Sequence, residues 1–332
     1  MKAVVIDRYG KRSARIGAMP TPEFADDEIL VEIHAAGVNP LDSKIETGEM
    51  KLVLPYRLPL ILGNDVAGIV MQVGSQVRRF KPGDEVYGRP DKDQIGTFAE
   101  FIAIKADDLA HKPKTLTMEE AAAMPLVALT AWQALVEKAK LKKGQKIFIQ
   151  AGSGGVGTIA IQLAKHLGAS VATTTSTANT EWVKRLGADV VIDYKQDDFE
   201  KVLRDYDVVL NSQDGATLEK SLQVLKHGGM LVSISGPPDP EFANEVEAPW
   251  YVKLATRLLS FKVRRLAKQR DLTYSFLFMR ANGAQLGEIA ALIDSKILRP
   301  IVDRIFPFDS AIEALTYVES GRAKGKVVIK VK

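Results

Sequence analysis

The stretch Ile147-Phe148-Ile149-Gln150-Ala151-Gly152-Ser153-Gly154-Gly155-Val156-Gly157, followed by the apolar run from Thr158 to Lys165, constrains this chain more than any other. It reads as a buried strand, a glycine turn and a helix start, the order of elements that aims free helix N–H groups at an anion. Gly152 is expected to permit the tight bend, Gly154 to leave room for phosphates, and Gly157 to let helix and strand pack closely. Ile159, Ile161, Leu163, Ala164 and Leu167 give the helix a broad apolar face closed by Gly168, and Val171 to Thr175 supplies a second strand. The βαβ unit so formed is the kind that seats a dinucleotide pyrophosphate.

Such a turn also serves S-adenosylmethionine-dependent enzymes and plain structural loops, so its surroundings decide. Sites that prefer NAD carry an acidic residue about 20 positions beyond the glycines. Here the second strand ends in Thr173-Thr174-Thr175-Ser176-Thr177-Ala178-Asn179, with no carboxylate before Glu181. Hydroxyls and an amide tolerate a 2′-phosphate, with Lys184 or Arg185 as added charge, which favours NADP. The same residues are also competent to cap the following helix.

With 332 residues the chain is long enough for two cores. Its 45 basic and 41 acidic residues leave a net charge of +4, which demands no nucleic-acid partner. The lack of cysteine removes disulfides, thiolate nucleophiles and cysteine-ligated zinc together. The four histidines, His34, His111, His166 and His227, are scattered, so no metal site is expected. The first residues enter a strand directly, and no segment approaches the ~20 apolar residues of a membrane span. A cytoplasmic protein without a membrane partner is the expectation.

Up to about Asp108, short strand-like runs alternate with Gly and Pro turns: Ala3 to Ile6, Ile29 to Ala35, Val66 to Val73, Glu85 to Gly88 and Phe98 to Ile104. This predicts a compact antiparallel, barrel-like domain. Thr117 to Lys138 is helical in pattern, with a capping box at Thr117-Met118-Glu119-Glu120 and a break at Pro125. From Gly144 to Gly236, strands at Ile147, Val171, Val190, Val208 and Met230 alternate with helices, the pattern of a doubly wound parallel α/β sheet. Pro249 to Arg270 is helical and basic, carrying Lys253, Arg257, Lys262, Arg264, Arg265, Lys268 and Arg270. It reads first as a solvated face and second as a lid or a surface for an anionic partner.

The series Gly37-Val38-Asn39-Pro40-Leu41-Asp42, Leu62-Gly63-Asn64-Asp65-Val66-Ala67-Gly68, Lys81-Pro82-Gly83-Asp84-Glu85-Val86-Tyr87-Gly88, Leu129-Thr130-Ala131-Trp132, Leu186-Gly187-Ala188-Asp189 and Gly321-Arg322-Ala323-Lys324-Gly325-Lys326 runs beside the glycine turn over nearly the whole chain. With it the chain resembles the medium-chain dehydrogenase/reductase superfamily, in its zinc-independent NADPH:quinone oxidoreductase branch. The resemblance implies a β-rich GroES-like domain over 1–124, completed by about 280–332, and an NADP-binding Rossmann domain over 125–279. Where zinc-dependent members place Cys and a His-Glu pair, this chain has Asp42 and Asn64-Asp65.

Carried over residue by residue, the resemblance puts Asn39 and Thr130 near the nicotinamide and its ribose. It puts Gly152, Gly154, Gly155, Val156 and Gly157 at the pyrophosphate, with N–H donors from Gly154, Gly155 and Val156. Ser176 and Tyr194 would meet the 2′-phosphate, Ser235 and Gly236 the nicotinamide ribose, and Lys326 the cofactor from the last loop. Asn179, Phe276 and Phe278 complete the cofactor-binding set. Asn179 stands where some quinone reductases have a lysine, and Gly48 is followed by Glu49-Met50 rather than by a tyrosine. Leu52, Val53, Leu54, Leu126, Phe276 and Phe278 suit a flat hydrophobic substrate, and Leu272 to Met279 would pair two subunits into a homodimer.

Without a metal, charge developing on a substrate oxygen needs hydrogen-bond donors, for which Asn39, Tyr56 and Lys44 are the candidates. The expected activity is NADPH-dependent reduction of a small hydrophobic quinone or α,β-unsaturated carbonyl. The alternative is a catalytically idle NADPH-binding sensor or scaffold acting through the basic helix. A methyltransferase use of the turn is disfavoured by the N-terminal β domain.

Overall fold

The computed structural model describes every residue except Leu52 and Asp214, so the expectation for Leu52 lies outside the described residues. The chain divides into two units, one of residues 1–129 with 280–332, the other of residues 130–279. The first unit thus runs to Leu129 rather than to 124.

In the first unit, β1 (Lys2–Ile6) lies between β2 (Ala14–Ala18) and β4 (Leu60–Ile61). A larger sheet is built on β3 (Glu28–Val38), which pairs antiparallel with β5 (Asp65–Val73) and β7 (Phe101–Lys105). β6 (Glu85–Gly88) and β8 (Leu109–His111) extend it beyond β5. Phe98 to Glu100, expected within β7, instead bonds back to Leu62, Val4 and Lys2. Register is fixed because the strands turn Val, Ile and Ala side chains inward, with Val4, Val31, Val66 and Ile104 buried.

In the second unit, β9 (Lys146–Ile149), β10 (Ser170–Thr175), β11 (Val190–Asp193), β12 (Tyr206–Asn211), β13 (Leu225–Ser233) and β14 (Thr273–Phe276) form one parallel sheet. Their spatial order is β11-β10-β9-β12-β13-β14. It is the doubly wound order that reverses direction between the first and fourth strands, so the carboxyl ends of β9 and β12 flank the switch point where ligands bind. Near-continuous apolar strands such as Ile147-Phe148-Ile149 fit a sheet covered on both faces. Tyr87 ties the closing segment of the first unit to β6 by donating its hydroxyl to the Leu286 carbonyl, 2.6 Å away. The last strands, β15 (Val302–Pro307) and β16 (Lys326–Lys330), pair parallel with each other, and β16 pairs antiparallel with β3.

Four helices place side chains at the sites. They are α1 (Pro40–Thr47), α2 (Met118–Ala122), α3 (Pro125–Trp132) and α4 (Gly155–His166). Thr117 and Glu120 form the expected capping box of α2, and Pro125 begins α3 rather than merely breaking a longer helix. After α3 the backbone widens, with the Ala139 N–H donating to the Ala134 carbonyl five residues back.

Candidate functional site

The glycine turn of the second unit runs from the end of β9 to the start of α4. Its left-handed residue is Ala151, at φ 52°, and not Gly152. Gly152 is required for space, since a Cβ there would lie 2.3 Å from Thr173 Oγ1 and 2.9 Å from its Cγ2. At Gly157 a Cβ would come within 2.3 Å of the Ala151 carbonyl oxygen, which is the close helix packing the motif predicts. Gly154 differs: the nearest atom to its Cβ position is that same oxygen at 3.3 Å, so its outer side is open. Its own N–H closes the turn onto the Ala151 carbonyl at 2.9 Å, which corrects the expectation that Gly154 offers a donor. Gly155, Val156 and Gly157 occupy the first helical positions, whose N–H groups have no acceptor within the helix, and no side chain caps them.

At the carboxyl end of β10, Ser176 is half-buried and receives a hydrogen bond from the Asn179 amide at 3.1 Å. Asn179 is buried and its Oδ1 accepts from the Trp182 indole at 3.1 Å, so it orients Ser176 rather than projecting outward. Tyr194 follows the neighbouring strand β11 and is 60% exposed, its backbone N–H bonded to the Thr175 carbonyl. Lys184 is paired with Glu181 at 3.3 Å. Asp193, the carboxylate at the end of β11, accepts from the Thr177 hydroxyl, the Lys195 N–H and the Gln196 amide, and the Thr177 bond, followed by that from Lys195, holds its carboxyl below the usual carboxylate range.

At the ends of β12 and β13, Asn211 is buried and donates to Ser233 Oγ at 2.9 Å and Ser235 Oγ at 3.3 Å. The Ser235 hydroxyl donates to the Gln213 carbonyl at 2.6 Å, and the Gly236 N–H to Ser233 Oγ at 2.7 Å. A Cβ at Gly236 would strike Leu218, Ser233 and Tyr274. Phe276 and Phe278 pack against Phe242, with ring centroids 5.2 and 5.6 Å apart. Thr130 is buried within α3.

The first unit holds a different arrangement, a buried polar cluster at the junction of β3, α1 and β5. Asp65 is fully buried; its Oδ1 accepts the Leu126 N–H at 2.7 Å, and its Oδ2 accepts the Asn39 amide at 2.9 Å and the Lys326 ammonium at 3.0 Å. Lys326 also donates to Asn39 Oδ1 at 2.6 Å and to the Val38 carbonyl at 3.1 Å. The three donors of its ammonium therefore each have an acceptor in this unit. Asp42, the third residue of α1, accepts the Asn39 N–H and the Asn64 amide, each at 2.7 Å. Burial pushes its carboxyl up to about 7, against the opposing pull of those two hydrogen bonds. Gly37 is obligatory beside this cluster, because a Cβ would lie 2.4 Å from the Ala122 carbonyl and 2.9 Å from Asp65 Oδ2.

Of the proton-donor candidates, Tyr56 donates its hydroxyl to the Lys92 carbonyl at 2.6 Å, and burial raises its pKa further. Lys44 lies exposed on α1, outside the cluster. Leu54 is buried and Val53 is 44% exposed. The residue the sequence reading missed is Arg89, which follows β6 and is 2% exposed. Its Nη2 reaches Asn64 Oδ1 at 3.5 Å, whereas Nε and Nη1 are buried with no partner. Burial depresses its pKa, with the nearby Tyr56, Asp65, Asp91 and Asp108 pulling the other way. A lone arginine after a strand carries no periodic or spacing signal, so only the fold reveals it.

Two groups that this architecture implies can be tested against these residues. A dinucleotide fits: the open side of Gly154 and the unpartnered N–H groups of α4 make an anion cradle. A metal does not fit at Asp42, Asn64 and Asp65. The carboxylate oxygens are engaged by Asn39, Asn64, Lys326 and Leu126, Asn64 Oδ1 faces the Arg89 guanidinium, and the Lys326 ammonium already supplies positive charge. Among the described residues no group of three or more His, Asp or Glu side chains is arranged to hold a metal.

Residues 25–114 match the alcohol dehydrogenase GroES-like domain, and residues 186–329 match the zinc-binding dehydrogenase domain. The 2-methylene-furan-3-one reductase of Solanum lycopersicum is 38% identical, over 93% of this chain and 73% of that protein. The chloroplastic NADPH-dependent alkenal/one oxidoreductase of Arabidopsis thaliana is 35% identical, over 99% of this chain and 79% of that protein. The solved quinone oxidoreductase of Coxiella burnetii superposes with a TM-score of 0.88 at 32% identity, covering 100% of this chain and 99% of that one. The chain belongs to the medium-chain dehydrogenase/reductase superfamily, in its quinone oxidoreductase-like branch. Its parallel sheet is accordingly a Rossmann-type domain, and its first unit a GroES-like one.

Proposed function

We infer that this chain is an NADPH-dependent oxidoreductase that delivers hydride to a quinone or an α,β-unsaturated carbonyl without a metal. The observation that carries this reading is the closed network of Asp42, Asn64, Asp65, Asn39 and Lys326, which leaves no donor set for a Lewis acid. Acceptors must then be activated by their own conjugation, as quinones and enones are. The relatives named for alkenal/one and methylene-furanone reduction support the same class. Nothing found favours an idle sensor.

When bound, NADPH supplies the hydride. The N–H groups of Gly155, Val156 and Gly157 hold its pyrophosphate, Ser176 and Tyr194 receive the 2′-phosphate, and Ser235 and Gly236 line the ribose side. Asn39 is fixed by Asp65 and Lys326 rather than free to turn, so it acts as a pre-set wall. Arg89 is a buried positive group of the first unit with N–H donors unpaired, and it stabilises negative charge on the substrate oxygen. Solvent protonates the product, since Tyr56 is engaged with Lys92. A cytoplasmic location and a homodimer formed along the outer edge of β14 belong to this reading. They are supported by the absence of cysteine and by the place of β14 at the end of its sheet.

The test is consumption of NADPH and NADH by the purified protein with an ortho-quinone and with a 2-alkenal, before and after dialysis against EDTA. NADPH-selective turnover that survives the chelator is expected, and Arg89→Met should lower kcat about 10-fold or more. Failure to bind or oxidise NADPH with either acceptor overturns the reading.

A further inference from the structure

The segment read from sequence as a solvated basic face does expose its Lys and Arg side chains, and beside them it exposes a row of large apolar ones. It forms α6 (Trp250–Leu259) and α7 (Phe261–Gln269), preceded by α5 (Pro240–Glu245). Along α6 the residues fall into rows four apart. The row Val252, Thr256, Ser260 faces the protein, with Thr256 3% and Ser260 0% exposed. Two neighbouring rows face solvent: Trp250, Leu254 and Leu258 are 76%, 50% and 67% exposed, and beside them Tyr251 and Leu259 are 60% and 64% exposed, with Ala255 between. Phe261, at the start of α7, is 56% exposed beside Arg264, Arg265 and Lys268. The fourth row carries Lys253 and Arg257. The helix thus buries its small polar row and presents its large apolar ones, the reverse of an ordinary surface helix.

Charge points to the occupant. Pro249 to Arg270 contains seven Lys or Arg and no Asp or Glu, leaving 38 basic against 41 acidic residues elsewhere. Lys262 pairs with Glu219, but Lys253, Arg257, Arg264, Arg265 and Lys268 have no ion-pair partner among the described residues. Of the acids on α5, Glu241 and Glu245 are taken by Lys138, at 3.2 and 2.6 Å. Aromatic and leucine side chains flanked by uncompensated cations match the interface of an anionic bilayer, where rings sit at headgroup depth and cations meet phosphate.

We propose that α6 and α7 form a membrane-surface anchor, laying the Trp250, Leu254 and Leu258 row into the headgroup region of an anionic lipid bilayer. This replaces the expectation of no membrane partner with interfacial docking, which needs no spanning helix and agrees with the absence of one among the described residues. The position of α6 gives the anchor a use. α5 is capped by Asp239, which also accepts the N–H of Phe276 at the end of β14, and α6 packs on α5. The anchor therefore sits toward the carboxyl end of the sheet, the end that carries the glycine turn. A lipid-dissolved acceptor is concentrated beside it.

The experiment is flotation of the full chain with vesicles of pure phosphatidylcholine and of phosphatidylcholine with phosphatidylglycerol, without cofactor or substrate. Binding to the anionic vesicles alone is expected, with a blue shift of Trp250 emission that W250F removes. Leu254→Ser with Leu258→Ser should abolish it, and R264A with R265A and K268A should weaken it on the order of a hundred-fold. NADPH binding measured on each variant shows that it has folded. Absence of binding to either vesicle, or equal binding to both, overturns the proposal. So does a dimer in light scattering that the Leu254→Ser, Leu258→Ser variant converts to a monomer, because the face would then belong to a second copy of the chain.

Discussion

The polar centres of the two units solve opposite problems. Asp65 and Lys326 are buried and answer each other from within the unit, whereas at the turn before α4 the donors are left without acceptors. The first arrangement contributes to holding a fold, the second to holding a ligand. An ion pair that is fully desolvated stabilises little in itself, but removal of one partner strands the other. An empty helix terminus costs little, because water serves its N–H groups until an anion arrives.

That contrast can be broken by experiment. Lys326→Ala should destabilise the protein by about 3–5 kcal/mol in urea titration while leaving NADPH affinity near wild type. Intact stability with a lost cofactor would move Lys326 from the first kind of centre to the second. Asp42 sharpens the same point through pH. Its folded pKa of about 7 lies above the ordinary 3.8, so the native state holds the proton more tightly and this contribution is complete below pH 4. It is lost as pH rises from about 4 to 7, by up to about 4 kcal/mol. Urea midpoints across that range should therefore fall for wild type more steeply than for Asp42→Asn.

The cradle should behave in the converse way. Gly154→Val blocks its open side, and NADPH affinity measured by fluorescence titration should drop about 100-fold, near 2.7 kcal/mol. The urea midpoint should shift by less than about 1 kcal/mol, because only one atom lies close to the new Cβ. Smallest of the four, Ser176→Ala should weaken NADPH about 5-fold and leave NADH unchanged. An equal loss for both nucleotides would remove Ser176 from the 2′-phosphate.

The second unit was the more legible of the two in sequence. Strand, turn and helix follow one another locally there, and hydrophobic runs such as Ile147-Phe148-Ile149 announce buried parallel strands. Even so, the left-handed position went to Ala151 rather than Gly152, since glycine at 152 answers to the crowding of Thr173 and not to torsion. In the first unit β2, β4, β8 and β15 escaped notice. They are short or half-exposed, as in Val302–Pro307, and are specified by distant partners. Asp42, Asn64 and Asp65 were legible only as departures from a zinc site. Their union with Lys326, 261 residues beyond Asp65, is a property of the fold. In the 249–270 segment the charges were evident, but which row faces outward depends on where Thr256 and Ser260 dock.

The pairing of β16 with β3 carries a consequence for the order of events on the ribosome. Residues 130–279 contain all of their sheet and can fold as soon as they emerge. The first unit, though synthesised earliest, cannot close its larger sheet or neutralise Asp65 until Lys326 to Lys330 are made. The inner strands of the first unit therefore stay unclosed while the whole second unit is made, and the synthesis of β16 sets when they can close.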